Sequence, residues 1–332
     1  MKIFVTGATG FLGGFLIDRL LEKGHSVSVL VRKSSNLKYL DQNKIKVFYG
    51  EITDYDSLMN ATEDIDVVIH LASLIHPVNV PDSLYYDVNV KGAVNVFNAA
   101  YENNKEKLKQ FIHCSSVTVY GDVGDEIVPI LENIPLVNQT TIYGVTKFEG
   151  ELAVRKLSED LKIPLTIVRP SRIYGERDTS FGSMIKLMKK GLFFNIGEGN
   201  TFMQPVYVRD CVEGIVNCIC NEKSYGNAYN LAGPEVINKK DFLKIFSNHL
   251  GRKFPEMNIP ISLVKTVAIA NEVLFKPFNK DPFVSRKKLS FFLRSNKYDI
   301  SAAKKDLGYD PKVDVDEGLK RLVEWYREEG LI

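Results

Sequence analysis

The chain has 332 residues, 45% of them hydrophobic and 25% charged, a balance typical of soluble globular proteins that excludes disordered, collagenous and fibrous classes. Lys plus Arg number 43 against 41 for Asp plus Glu, so the net charge gives no reason to expect a nucleic-acid partner. The length predicts about two domains or one large α/β unit, enough chain to bury a core without disulfides or a structural metal.

Lys2–Val5 reads as a short strand, Gly7–Gly13 as a glycine turn, and Phe11–Glu22 as a helix ended by Gly24. Further strands are expected at Ser26–Val31, Lys46–Tyr49, Val67–Leu71, Gln110–Ser115 and Leu165–Arg169, with helices over Val88–Tyr101 and Gly144–Leu161 between them. Short apolar strands alternating with helices predict a doubly wound parallel sheet, a Rossmann-type α/β fold. After Arg169 glycine, proline and aromatic residues become frequent. The expected division is a larger α/β domain over residues 1–170, with segments returning near 206–220 and 228–232. Residues 171–332 then form mainly a smaller, discontinuous α/β substrate lobe. In it, Gln204–Val208 and Ala228–Ala232 read as strands, and Asp241–Leu250, Ser301–Leu307 and Val315–Tyr326 as helices. Ile259–Phe275 is apolar but interrupted by Pro260, Lys265, Asn271 and Glu272. It is too polar to span a bilayer and reads as a half-buried helix, with pocket lining or contact with a membrane surface left open.

Cys114, Cys211, Cys218 and Cys220 form no C-x-x-C pair, and the last two are too close for usual zinc spacing. They read as reduced, mostly buried thiols of a cytoplasmic protein. Met1–Thr6 is apolar but runs into the glycine turn without a cleavage region. His70 and His76 have no ligand partners at useful spacing, and His25, His113 and His249 stand alone, so no metal is expected.

The glycine turn, Gly7-Ala-Thr9-Gly10-Phe11-Leu12-Gly13, sits between a strand and a helix. Glycine permits the sharp turn and close approach of a pyrophosphate, which the helix N-terminus then attracts. At the end of the second strand, where NAD sites usually carry a carboxylate, this chain has Arg32-Lys33-Ser34. A guanidinium there can fork onto a 2′-phosphate. One charged hydrogen bond contributes roughly 1.5–3 kcal/mol, which favours NADP(H) over NAD(H). Glu51 and Ile52, after the third strand, are expected near the adenine amino group.

Tyr143 and Lys147 are four residues apart in a helical run and share one face. An ammonium about 4 Å from the phenol, at an effective dielectric near 20, is worth roughly 4 kcal/mol, so Lys147 should draw the phenol toward neutral titration and make Tyr143 a proton donor and acceptor. Ser116, at the carboxyl end of a parallel strand, can hydrogen-bond a substrate oxygen. Ser115 and Thr118 are alternatives, with Ser115 and Ser116 on opposite faces.

In this order Gly7-x-x-Gly10-x-x-Gly13, His70-Leu-Ala72, Asn89 in Val88-Asn-Val-Lys-Gly, Ser116 and Tyr143-x-x-x-Lys147 resemble the extended short-chain dehydrogenase/reductase family, in its epimerase/dehydratase group. Arg169-Pro-Ser-Arg-Ile-Tyr-Gly175 and Val206-Tyr-Val-Arg-Asp210 extend the likeness over nearly the whole chain. The resemblance implies a nicotinamide cofactor held by Gly7, Thr9, Gly10, Phe11, Leu12, Gly13, Arg32, Lys33, Ser34, Glu51, Ile52, Leu71, Ala72, Asn89, Tyr143, Lys147, Pro170 and Arg172. It implies Ser116, Tyr143 and Lys147 as the catalytic set, with Ser73, Ser116, Thr118 and Arg172 toward the substrate. It also implies a homodimer built as a four-helix bundle, with Val94, Phe97, Val145, Phe148 and Leu152 as the apolar stripe.

Nucleotide-sugar members usually carry Asn where this chain has Arg172, and often an Arg where it has Thr201-Phe-Met-Gln-Pro205. Arg172, Arg177 or Arg209 are the residues that could compensate. The tail, Pro282–Arg286 and Lys297–Tyr309, is more similar to the branch holding 3β-hydroxysteroid dehydrogenases and dihydroflavonol reductases. Phe181, Phe193, Phe194, Phe202, Phe275, Phe278, Phe283, Phe291 and Phe292 suit an apolar substrate, although most are expected to serve the core. The expected activity is therefore NADP(H)-dependent interconversion of a ketone and a secondary alcohol. Epimerisation, dehydration or reduction of a nucleotide sugar is the alternative.

Overall fold

In the computed structural model, seven strands form one parallel sheet in the order Ala228–Leu231, β6 (Leu165–Pro170), β5 (Gln110–Cys114), β4 (Val67–His70), β1 (Lys2–Thr6), β2 (Ser26–Val31), β3 (Ile45–Tyr49). The structure describes residues 1–75, 80–121, 129–134, 136, 139, 141–197, 199, 201–255, 258–275 and 295–332. His76, the segment 282–286 and Phe278, Phe283, Phe291 and Phe292 lie outside these residues, as does the side chain of Phe275.

Pleat alternation sorts the sheet's apolar side chains onto two faces. Ile3, Val5, Val27 and Ile69 pack with α1 (Phe11–Glu22), while Phe4, Val68, Phe111 and Leu165 pack against α4 (Gly92–Asn104) and Val154 of α5 (Ile142–Leu161). Phe97, expected on a dimer stripe, belongs to this second core and is fully buried. The outward stripe that the family resemblance implied does not include this position, which serves the sheet instead. The chain order reverses between β4 and β1, the point at which open α/β sheets form their ligand crevice beyond the strands' carboxyl ends.

The helix expected over Val88–Tyr101 is more complex. A short helix, α3 (Asp82–Tyr86), runs into a π-helical turn over Asp87–Lys91, and only then into α4. The wide turn pushes the Asn89 carbonyl toward α5, where Gly150 admits it: a Cβ on Gly150 would lie 2.4 Å from that oxygen. The wide turn lies at the very start of the expected helix, where few apolar positions precede it to set a phase against which a shift could be read.

Beyond β6 the lobe is held by two-residue strand pairs: Ile173–Tyr174 with Val206–Tyr207, Phe202–Met203 with Ile237–Asn238, and Asn195–Ile196 with Asn258–Ile259. Helices α6 (Gly182–Lys189), α7 (Val208–Val216), α8 (Lys239–His249) and α9 (Ile261–Phe275) pack among them. Phe181 stacks edge-on against Phe246, and Phe193 tilts onto Phe254, so these two aromatics are core. Among the described residues no helix is long and apolar enough to cross a membrane.

Candidate active site

β1 delivers the chain to Gly7, whose φ of +77° suits glycine. A Cβ on Gly7 would lie 2.7 Å from the Ala72 nitrogen, and one on Gly13 would lie 2.2 Å from the Gly7 carbonyl oxygen. The turn therefore packs directly on the segment after β4. Gly10 caps α1 without a side-chain hydrogen bond, and the first turn holds no acidic residue. As in any helix, the amides of the first turn, Phe11, Leu12 and Gly13, have no intrahelical acceptor. With Thr9 between the glycines, this is a cradle suited to a pyrophosphate.

Arg32, Lys33 and Ser34 follow β2 and are all exposed, with no carboxylate at the strand end. Glu51 and Ile52 follow β3. The Ile52 carbonyl accepts from Asn95 Nδ2 at 3.1 Å, and the Glu51 amide donates to Ser57 Oγ at 3.2 Å. Leu71 and Ala72 lie half-buried after β4, where the Ala72 amide donates to Thr6 Oγ1 at 3.3 Å.

Asn89 behaves differently from the expectation of a cofactor contact. Its Oδ1 accepts from the Leu74 amide at 2.7 Å and the Ser73 hydroxyl at 3.1 Å, and its Nδ2 donates to the Leu74 carbonyl at 3.1 Å and Thr146 Oγ1 at 3.0 Å. A carboxamide has about four hydrogen-bonding positions, and here the protein takes them all. Asn89 braces the segment holding Ser73 against α5.

α5 begins at a Thr141 cap, whose hydroxyl accepts from the Gly144 amide at 3.1 Å. Its first turns carry Tyr143 and Lys147. The Tyr143 phenol hydrogen-bonds with the hydroxyls of Ser116 and Ser73, so three residues far apart in sequence converge on one oxygen. Ser116 also caps the 3₁₀ turn over Val117–Tyr120, its Oγ accepting from the Thr118 amide at 3.2 Å. Thr118 itself is exposed, and Ser115 is buried, its side chain against Glu151.

Lys147 is fully buried, and its Nζ donates to the Cys114 carbonyl at 2.6 Å. Burial lowers its affinity for a proton. The expected lowering of the phenol by Lys147 is not found. Burial pushes Tyr143 up to about 12, and hydrogen bonding with Ser116 and Ser73 opposes this only partly. The ammonium is directed instead to the Cys114 carbonyl, and desolvation of a phenolate raises the phenol.

Below Lys147 lies a polar layer that motif reading missed. Glu151, four residues on and on the same face of α5, is completely buried and paired with Arg169, with Arg155 also reaching its Oε1 at 3.1 Å. Burial alone would raise the Glu151 carboxyl, but Arg169 and Arg155 hold it below the ordinary glutamate value. Arg169 continues to Tyr120 Oη at 2.9 Å, which donates to Asn230 Oδ1 at 2.6 Å on the edge strand. The i+4 spacing of Glu151 from Lys147 was the available signal. His70 and His113 stack at 5.5 Å beside it. Burial first, and the Lys147 charge second, lower both imidazoles, His70 to about 3.

Pro170 ends β6 on the same carboxyl edge of the sheet. Arg172 is drawn aside, donating to Ser180 Oγ at 2.7 Å, 3.6 Å from Asp178 Oδ2 and stacked over Phe181. Arg177 and Arg209 both stack over Phe15 of α1 and pair with Asp18 and Glu176 respectively.

Residues 3–232 match the model of the NAD dependent epimerase/dehydratase family. The chain is 29% identical to the N-acetyl-alpha-D-glucosaminyl-diphospho-ditrans,octacis-undecaprenol 4-epimerase of Escherichia coli O157:H7, over 98% of this chain and 95% of that protein. It is 25% identical to a 3-beta-hydroxysteroid dehydrogenase of Mycolicibacterium neoaurum, over 98% and 92%. Among solved structures, the UDP-glucuronic acid 4-epimerase of Bacillus cereus with UDP-glucuronic acid and NAD superposes with a TM-score of 0.77 at 25% identity, covering 99% of this chain and all of that one. With its parallel sheet, glycine cradle and Ser-Tyr-Lys cluster, the chain belongs to the NAD dependent epimerase/dehydratase family, as an enzyme of the extended short-chain dehydrogenase/reductase type.

Proposed function

We propose that the protein interconverts a secondary alcohol and a ketone on a largely apolar substrate, using NADP(H). The observation that carries the reading is the meeting of the Tyr143 phenol with the Ser73 and Ser116 hydroxyls above buried Lys147. Bound nicotinamide supplies or accepts the hydride. In reduction, Tyr143 gives its proton to the substrate oxygen as the carbonyl carbon gains hydride. In oxidation, the phenolate takes the hydroxyl proton. Ser116 donates to that oxygen and stabilises its developing charge, while Ser73, whose proton goes to Asn89 Oδ1, helps position the phenol. Lys147, held by the Cys114 carbonyl, would hold the nicotinamide ribose. The basic end of β2, Arg32-Lys33-Ser34, supports NADP(H).

Engagement of Arg172, Arg177 and Arg209 with neighbouring aromatic and acidic side chains supports an apolar substrate, because a diphosphate left without charged donors binds poorly. A second reading, epimerisation of a diphospho-linked sugar without net change in cofactor, draws on the 29% identical undecaprenol-linked 4-epimerase. Steady NADPH consumption with a panel of steroid and aromatic ketones supports the first reading. Turnover of UDP-, dTDP- or polyprenyl-diphosphate sugars without net cofactor change supports the second. Loss of both in Tyr143→Phe is expected under either, and full activity in that variant refutes both.

We also infer a cytoplasmic homodimer through α4 and α5, now resting on exposed Leu152 and the half-buried Val94, Val145 and Phe148 without Phe97. A monomer in sedimentation at micromolar concentration overturns it.

A further inference from the structure

Helix α9 is fifteen residues long and carries its apolar side chains on more than its buried face. Val264 and Ala268 turn inward, but Leu263, Val267 and Leu274 are 55%, 44% and 63% exposed. With Ala270 they recur at i, i+4, i+7 and i+11, which gathers them into one stripe along the helix. The strand pair Asn195–Ile196 with Asn258–Ile259 joins the start of this helix to the end of α6, where Leu192 is a further 57% exposed. Contiguous exposed apolar surface of this kind marks an interaction site.

The surroundings are strongly cationic. The described side chains of 182–197 and 251–275 include six Lys or Arg. Lys186, Lys189 and Lys190 at the end of α6, Arg252 and Lys253, and Lys265 on α9 itself are all exposed. Positive charge thus lies on the elements that carry Leu192 and the apolar stripe. A second copy docking through the same face would bring two cationic rims together, whereas an anionic lipid surface matches both the apolar stripe and its rim.

We propose that the α9 face, with the end of α6, is a docking surface for an anionic bilayer, on which the protein adsorbs without spanning it. This goes beyond the choice between redox and epimerase chemistry and holds for either.

The test is co-sedimentation of the full chain with vesicles of pure phosphatidylcholine and of phosphatidylcholine with one third phosphatidylglycerol. The wild type is expected to partition at least about tenfold more onto the anionic vesicles, with the difference falling as salt is raised. Leu263→Glu/Leu274→Glu and Lys186→Glu/Lys189→Glu/Lys190→Glu are each expected to lose about tenfold or more of that partitioning, while NADPH binding and thermal midpoint stay near wild type. All substituted side chains are exposed, so loss of folding is not expected. Absence of wild-type binding to anionic vesicles overturns the proposal, as does equal binding by the variants. So does a self-association, seen in sedimentation, that the leucine substitutions dissolve while vesicle binding is absent.

Discussion

Asn89 and Thr146 meet across the contact between the π-helical turn and α5, the Asn89 Nδ2 donating to Thr146 Oγ1 at 3.0 Å, one residue before Lys147. The same carboxamide holds Leu74 and Ser73 on its other side. One buried side chain thus sets the distance between the two segments that supply hydroxyls to the reacting oxygen.

Replacing that side chain separates a brace from a ligand. Asn89→Ala leaves the Leu74 amide and carbonyl without their partners, at about 1–3 kcal/mol for a buried group left unpaired. Urea denaturation should show that loss, and kcat should fall more than cofactor affinity because Ser73 is no longer held. Unchanged stability with weakened cofactor binding would return Asn89 to the role of cofactor contact.

The glycine cradle has no room for a methyl group at Gly13, where a Cβ would approach the Gly7 oxygen to 2.2 Å. Gly13→Ala must open the turn. Overpacking of this kind costs about 1–3 kcal/mol, so NADPH affinity, read by fluorescence titration, is expected to fall roughly tenfold or more.

Arg32 is exposed at the end of β2. Arg32→Ala should weaken NADPH roughly ten- to a hundredfold, the worth of one charged hydrogen bond, and leave NADH nearly unchanged. Equal losses for the two cofactors, measured by titration, would remove the assignment to NADP(H).

The Tyr143 phenol is pushed up to about 12 by burial, so it holds its proton throughout the neutral range. Reduction needs the phenol and oxidation needs the phenolate. kcat/KM for reduction should therefore be flat from neutral to mildly alkaline pH, while kcat/KM for oxidation should climb by about tenfold per pH unit. A flat oxidation profile over that range would show the phenol titrating much lower than its burial dictates.

The pair Glu151–Arg169 is buried on both sides. Arg169→Met leaves a carboxylate in the core and should cost about 3–5 kcal/mol, whereas Glu151→Leu with Arg169→Met should recover much of it. The folded Glu151 carboxyl is depressed. Its stabilising contribution is therefore present above the unfolded glutamate value of about 4.3 and is lost as pH falls through the lower folded value. Acid unfolding of the double variant should lose that component.

Much of the fold was legible because its signals are local. The strand at Ser26–Val31 and the helix at Phe11–Glu22 lie where the apolar pattern and Gly24 predict them. Ser116, Tyr143 and Lys147 were named from residue type and spacing and Ser73 from the family resemblance, and the structure brings Ser73, Ser116 and Tyr143 together at one hydroxyl. Other features were not legible. The π-helical turn lies where few apolar positions precede it to set a phase, and Phe97 fits an outward stripe and an inward core equally well on spacing alone.

The sequence alone determined the parallel α/β architecture, the glycine cradle and the pairing of Tyr143 with Lys147 on one helix face, because each depends on side-chain chemistry at short separation. Tertiary structure decided which way Lys147 points, that the phenol is raised by burial, that Arg172 and Arg177 turn away to Asp178 and Asp18, and that His70 stacks on His113. Those outcomes depend on desolvation and on contacts between residues far apart in the chain, and no local pattern encodes either.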